Sequence, residues 1–219
     1  MRIGIVGSAG GSVARELMNT VSAKSNFLVV TDRCCGLEVL ADELSLPRQR
    51  ISEPDNAIFS RRAKHFFDQQ GGVDLVILFY LRLVTRELFD NYPTFNLHPS
   101  LLPDYQGFNA IERAHADRAM RFGATLHLVD EHADHGPVVA RVSINLRSGQ
   151  SVDRMRRISF AQKYYLSLHL LDRMESAKDI NWLASLHHEQ APMNPSLNNP
   201  IFRDYFSKFT VREGLEGSV

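Results

Sequence analysis

The segment VDLVILFY, residues 73–80, decides the fold class. After Asp74 it is apolar on both faces, which is typical of a central parallel strand that helices cover on both sides. The run Ile3–Val6 predicts another strand, and apolar residues follow it at the i, i+4, i+8 spacing of a helix, namely Val13, Leu17 and Val21. Strands and helices therefore alternate, and we predict an α/β fold with a mostly parallel, Rossmann-like sheet flanked by helices.

Downstream of this segment the pattern changes. Residues 123–129 and 138–146 alternate as strands, and the short link between them predicts an antiparallel pair. A long amphipathic helix follows. The remaining residues are rich in proline and asparagine. We therefore expect one domain over residues 1–180 and a C-terminal extension over 181–219, either packed on the domain or partly disordered.

Composition excludes several classes of protein. The 25 lysines and arginines balance the 25 aspartates and glutamates, so no overall field favours nucleic acid or an anionic membrane. The sequence contains no run of about 18 apolar residues, and the apolar run at its start is short. We therefore expect no membrane span and no signal peptide. Because Cys34 and Cys35 are adjacent, they suit neither an ordinary disulfide nor a zinc site. We expect a cytoplasmic protein that acts on a small molecule and binds no metal.

The turn after the first strand is the first candidate site. It contains Ser8, Ala9, Gly10 and Gly11, where glycine allows close backbone approach and the N–H groups of the following helix can bind an anion. Asp32 ends the second strand, as in dinucleotide-binding folds, but position 9 lacks the second glycine of that motif. Three interpretations stay open: a tight turn, an anion contact, or the nicotinamide site of an oxidoreductase.

The run NLHPSLLP, residues 96–103, is the second candidate. Asn96 and His98 are two apart on a predicted strand, so both side chains leave one face about 7 Å apart, near the end where open α/β sheets bind ligands. An amide that donates a hydrogen bond and an imidazole that moves a proton would converge there. The alternative is a histidine whose ring is simply hydrogen-bonded to a carbonyl.

The loop DEHADHGP, residues 130–137, is the third candidate. His132, Asp134 and His135 are similar to part of a zinc motif, but Asp130 stands where that motif needs a histidine. The loop could otherwise supply one carboxylate to the site at Asn96 and His98, or be a solvated turn.

Taken together, these segments resemble the folate-dependent formyltransferase family, and most closely its glycinamide ribonucleotide branch. The family pattern is N-x-H-P-S-L-L-P, a glycine soon after, a G-x-x-x-H strand and then D-x-G-P. This chain has residues 96–103, Gly107, the strand Gly123–His127 and residues 134–137 in the same register. The match is specific because its polar residues are spread over about forty positions.

The resemblance implies a formyltransferase that uses 10-formyltetrahydrofolate. It implies that Asn96 polarises the formyl oxygen, His98 shuttles the proton, and Asp134 keeps the imidazole protonated and orders a water. The folate-binding residues that it implies are Leu81, Arg82, Leu83, Val84, Asp130, Glu131, His132 and Ala133. The amine acceptor would bind at Ser8, Ala9, Gly10 and Gly11.

Departures from the pattern leave the acceptor open. Glycinamide ribonucleotide enzymes carry E-H-x-x-Y-P in the long helix, whereas residues 160–166 read FAQKYYL. Lys163 or Arg157 is either a replacement anion contact or an exposed helix charge. The acceptor is thus glycinamide ribonucleotide or another small amine, and a catalytically silent folate-binding relative remains an alternative. The assembly, for which a homodimer is one candidate, is left open.

Overall fold

The computed structural model describes residues 1–21, 26–177, 182–186 and 190–219. The strands are β1 Ile3–Gly7, β2 Phe27–Thr31, β3 Arg48–Arg50, β4 Leu75–Phe79, β5 Thr94–His98, β6 Arg121–Leu128 and β7 Val138–Asn145. The helices are α1 Ser12–Thr20, α2 Gly36–Glu43, α3 Asn56–Gln69, α4 Arg86–Phe89, α5 Ala110–Ala116, α6 Val152–Ser176, α7 Trp182–Ser185 and α8 Pro200–Glu213.

The strands form one sheet in the order β3-β2-β1-β4-β5-β6-β7. Pairing is parallel from β3 to β5 and antiparallel between β6 and β7. The predicted α/β fold, mostly parallel and Rossmann-like with a late antiparallel pair, is therefore confirmed. Two compact units divide the chain: unit 1 is Met1–Asn96 with Leu128–Gly136, and unit 2 is Leu97–His127 with Pro137–Val219.

Unit 1 is built around β1 and β4. Both strands are buried along most of their length, which agrees with the two-sided apolar pattern of residues 73–80. Phe59 and Phe67 of α3 pack into the same core as Val76 and Leu78 of β4. Apolar burial of this kind stabilises a fold by about 25 cal/mol per Å² removed from water, and it holds the carboxyl ends of β1, β2 and β4 at one edge.

Unit 2 combines the β6–β7 pair with two long helices. Ser151 caps α6 by accepting a hydrogen bond from the Arg154 N–H. Phe206 and Phe209 of α8 pack against Tyr164 of α6, with the Tyr164 and Phe209 rings 4.9 Å apart. Stacked or tilted aromatic pairs add about 0.5–1.5 kcal/mol beyond area burial.

Three elements were not expected from the sequence. The edge strand β3 has no apolar pattern, and its Arg48 and Arg50 instead pair with the buried carboxylate of Glu38. Helices α7 and α8 lie within the C-terminal extension. The expected boundary between residues 180 and 181 lies outside the described residues. No helix in the described ranges is both long and apolar enough to cross a bilayer.

Candidate active site

The end of β5 and the loop after β6 meet in unit 1. The Val129 N–H donates to the Thr94 carbonyl over 2.8 Å, which ties the start of the loop to β5. Asp134 lies further along the loop, and its Oδ1 accepts a hydrogen bond from Nδ2 of Asn96 on β5 over 3.2 Å. The structure thus brings together two of the three residues expected to act in catalysis.

Glycine 136 makes this loop geometry possible. A Cβ at Gly136 would stand 1.8 Å from the Leu128 carbonyl oxygen, so any other residue would push the two ends of the loop apart. Asp134 has a φ of 58°, in the left-handed region that aspartate tolerates better than most residues. Asp130 Oδ1 accepts a hydrogen bond from the His132 N–H over 2.8 Å. These features turn the Asp134 carboxylate towards Asn96.

His98 lies in unit 2, where it is 5% exposed. Its Nε2 is 2.9 Å from the Tyr105 carbonyl oxygen. Because a carbonyl only accepts, we assign a proton to Nε2. The involvement of His98 in catalysis stays a prediction.

The loop after His98 is fixed by a residue that sequence reasoning did not single out. Thr125 Oγ1 on β6 donates to the Ser100 carbonyl over 2.7 Å and accepts from the Leu102 N–H over 3.0 Å. Nearby, a Cβ at Gly123 would stand 2.1 Å from the Val142 carbonyl oxygen. The glycine in the G-x-x-x-H strand is therefore required by close strand packing.

The predicted acceptor residues form the turn between β1 and α1. Ser8 is buried and its N–H donates to the Phe79 carbonyl over 3.1 Å, whereas Ala9 and Gly10 are exposed. Gly11 has a φ of 72° and no side chain caps α1. The Ala9 carbonyl accepts from the Leu37 N–H over 3.1 Å, which anchors the turn to α2.

Asp32 lies beside this turn with its side chain 3% exposed. Burial opposes its ionisation, but hydrogen bonds from Arg33 and Ser8 outweigh that effect and hold the pKa of the carboxyl below its usual value. Arg33 contacts both carboxylate oxygens, at 3.0 and 2.7 Å. In a dinucleotide site the Asp32 carboxylate would bind a ribose hydroxyl, but here it is already hydrogen-bonded to Arg33.

In the predicted folate-binding segment 81–84, the side chains point alternately to solvent and to the interior of unit 1. Leu81 and Leu83 are 53% and 54% exposed, whereas Val84 is buried. The Arg82 guanidinium points inward, donating to the Glu53 carbonyl and to Asn56 Oδ1 at 2.7 Å each. Leu81 and Leu83 are therefore the members of the segment whose side chains can contact a ligand.

The other predicted folate residues lie at the surface of the loop. Glu131, His132 and Ala133 are exposed and Asp130 is half-buried. Glu131 pairs with Arg86 over 3.2 Å, an exposed pair that contributes little to stability. In the part of the chain that the structure describes, no three His, Cys, Asp or Glu side chains are grouped as a metal ion requires.

The long helix α6 contains buried polar groups where the family motif differs. Gln162 is fully buried, and neither its Nε2 nor its Oε1 has a partner among the described residues. Lys163 is half-buried, and burial lowers the pKa of its ammonium, so it is not an exposed helix charge. Arg157 is exposed and donates to the Glu213 carbonyl.

Comparison with known proteins identifies the family. The model of the formyl transferase family matches residues 1–168, which is more than half of the chain. This chain belongs to the formyl transferase family. The resemblance inferred from residues 96–137 is confirmed.

Individual relatives of this formyl transferase carry two activities in their names. Phosphoribosylglycinamide formyltransferase of Haemophilus influenzae is 27% identical over 165 residues, covering 65% of this chain and 78% of that protein. Formyltetrahydrofolate deformylase of Synechocystis sp. is 30% identical over 105 residues, covering 47% and 37%. The crystal structure of phosphoribosylglycinamide formyltransferase from Bacillus halodurans has a TM-score of 0.70 at 25% identity, covering 76% of this chain and 91% of that chain.

These similarities support formyl-group chemistry and do not favour the nicotinamide alternative. They leave open whether the formyl group passes to an amine or to water.

Proposed function

We propose that this formyl transferase moves a formyl group from 10-formyltetrahydrofolate to a small primary amine in the cytoplasm. The observation that supports it most strongly is the hydrogen bond between Asn96 and Asp134 at the carboxyl end of β5, where open α/β sheets bind ligands. The proposal includes no metal, because attack of an amine on a formyl group needs only a donor for the oxyanion and a proton carrier.

Asn96 supplies the hydrogen-bond donor for the oxyanion. Its Nδ2 carries two hydrogens, and the contact with Asp134 uses one of them. In this proposal the amide stabilises the charge that develops on the formyl oxygen, a contribution typically worth about a hundredfold or more in rate. Asp134 orients the amide for this role.

His98 is the proton carrier in this proposal. The Tyr105 carbonyl orients the ring through Nε2. In this proposal the imidazole takes a proton from the attacking amine and returns it to N10 of the folate as the bond between the formyl carbon and N10 breaks. Buried rings with one nitrogen fixed in this way have a defined tautomer.

The formyl donor, 10-formyltetrahydrofolate, would bind at Leu81 and Leu83. Their exposed side chains offer apolar walls to its flat pterin ring. Arg82 and Val84 support these walls from behind, since both are turned into unit 1. Backbone groups of Asp130, Glu131, His132 and Ala133 would complete the donor site.

The acceptor would bind at Ser8, Ala9, Gly10 and Gly11. The N–H groups at the start of α1 lack a side-chain cap, so an acceptor that carries an anionic group suits this turn. Glycinamide ribonucleotide is one such amine. The chain lacks the E-H-x-x-Y-P motif, so we propose the class, a small anionic amine, rather than one compound.

Release of tetrahydrofolate from 10-formyltetrahydrofolate tests the proposal. Incubation with a panel of amines, including glycinamide ribonucleotide, should show release that depends on one amine and a matching formylated product. Equal release without any amine would instead identify a deformylase. Folate binding without release under any condition would identify a silent relative, and thermal stabilisation by NADH alone would overturn the assignment.

A further inference from the structure

A cavity of about 520 Å³ lies in unit 2, at the end where β6 begins and β7 ends. Each strand is eight residues long, or roughly 24 Å, so the cavity is remote from His127 at the other end of β6. Its volume falls within the range of about 300–1,000 Å³ that is usual for small-molecule sites. It shares no residue with the site proposed for formyl transfer.

The floor of the cavity is apolar. Ala114 on α5, Leu146 after β7 and Met155 on α6 all contribute to it and are themselves buried. An apolar floor gains free energy by covering an apolar or aromatic group of a ligand. The floor alone would not select a charge.

The rim of the cavity is cationic. It includes Arg118 and Arg147, and no carboxylate lines the cavity. Among the described residues, no hydrogen bond or ion pair engages the side chain of Arg118 or Arg147. The nearby carboxylate of Glu112 pairs with Arg156 over 2.9 Å.

Arg118 also has an unusual backbone. It follows α5 with a φ of 52°, in the left-handed region where helices usually place glycine. An arginine is less favourable than glycine in this conformation. The arginine thus places a guanidinium on the rim at a position where local backbone preference favours glycine.

We propose that this cavity is a second ligand site, which binds a small organic anion with an apolar or aromatic body. The two guanidiniums bind the anionic group, and the floor formed by Ala114, Leu146 and Met155 covers the body. Because the protein has a formal net charge of zero, the attraction is local and is screened by salt.

The aromatic sulfonate 8-anilinonaphthalene-1-sulfonate is a suitable probe, and its uncharged analogue N-phenyl-1-naphthylamine is the matched control. On the full chain, titration followed by ¹H–¹⁵N spectra should shift the amides of Gly149 and Arg118. The uncharged analogue should bind at least tenfold more weakly, and 0.5 M NaCl should weaken binding of the sulfonate severalfold.

The double variant Arg118→Gln/Arg147→Gln should weaken binding of the sulfonate at least tenfold, while Arg61→Gln/Arg62→Gln on the exposed face of α3 should not. Both variants should keep formyl transfer, which separates this proposal from the proposed function. Equal affinity of the double variant, or shifts confined to other amides, would overturn the proposal. If the sulfonate binds as expected, aromatic carboxylates and nucleoside monophosphates would each be tested as competitors of the sulfonate. The stronger competitor would show whether the natural anion is a carboxylate or a phosphate.

Discussion

The Ser8–Gly11 turn and the Val129–Gly136 loop both lie in unit 1, yet glycine serves them differently. In the turn, the close contact joins separate segments, because a Cβ at Gly36 would stand 2.5 Å from the Gly10 carbonyl oxygen. In the loop, the contact between Gly136 and Leu128 closes the segment on itself. The turn exposes backbone at Ala9 and Gly10, whereas the loop presents the Asp134 carboxylate to Asn96.

This difference predicts how each region responds to substitution. A site made of backbone N–H groups acts mainly in binding. A site made of one carboxylate and one amide depends on those atoms and acts on the rate. Changes in the loop should therefore lower kcat, and changes in the turn should raise the KM of the acceptor.

The largest effect is expected for His98→Ala, which would show whether the carboxylate–amide pair of the loop works with a proton carrier. General acid–base catalysis is worth about 10²–10⁴-fold, so kcat should fall by about a thousandfold with folate affinity little changed. Single-turnover release of tetrahydrofolate measures the rate. Near-parental formyl transfer would remove His98 from the mechanism.

Gly136→Ala tests the loop itself. The added Cβ would collide with the Leu128 carbonyl oxygen, so Asp134 should move away from Asn96 and kcat should fall by about a hundredfold. Gly10→Ala is the contrasting change, because a Cβ there would meet nothing within 4 Å. It should keep the melting temperature and alter mainly the acceptor KM. Equal effects of both changes on kcat would contradict the comparison.

Leu83→Asp tests whether the exposed leucines form the folate site. Covering a leucine side chain contributes about 1.5–3 kcal/mol, so a charged replacement should weaken folate binding by about ten- to a hundredfold. Isothermal titration with a folate analogue measures this. Arg86→Gln, which removes only the exposed pair with Glu131, is the control. Unchanged folate affinity of Leu83→Asp would place the donor elsewhere.

The smallest effect concerns Asp32 beside the turn. Its pKa is lowered in the folded protein, so its contribution to stability is complete above the unfolded value of about 3.9 and is lost as pH falls through the folded value. Asp32→Asn should therefore cost less than about 2 kcal/mol at pH 7, and the difference from the parent should shrink at pH 3. Urea unfolding at several pH values measures it. A difference that grows as pH falls would contradict the assignment.

Much of the fold could be predicted because periodicity reports burial. The two-sided apolar run of residues 73–80 became β4, and the helical spacing after Gly11 became α1. Strand β3 could not be predicted, because its Arg48 and Arg50 are held by the distant Glu38 rather than by an apolar face. Helix α8 was missed because proline and asparagine precede it, although Asn199 and Pro200 form its N-terminal cap.

The site was predictable only in part. The resemblance to the formyltransferase family named Asn96 and Asp134, and their contact agrees with the expectation that they converge. The inward direction of Arg82 could not be read from the sequence, because it depends on carbonyl groups of residues 53–54. The Tyr105 carbonyl that binds His98 was hidden for the same reason, since any residue supplies a carbonyl.

The central claim is that Asn96 and Asp134 act as one unit in formyl transfer, and a double-mutant cycle tests it most directly. Single-turnover rates would be measured for Asn96→Ala, Asp134→Ala and the double variant. Each single change should lower the rate by about a hundredfold, with a larger effect on rate than on folate affinity. The double variant should be little slower than the slower single one, because either change already breaks the contact. Rates that multiply independently, or single variants with near-parental rates, would contradict the claim.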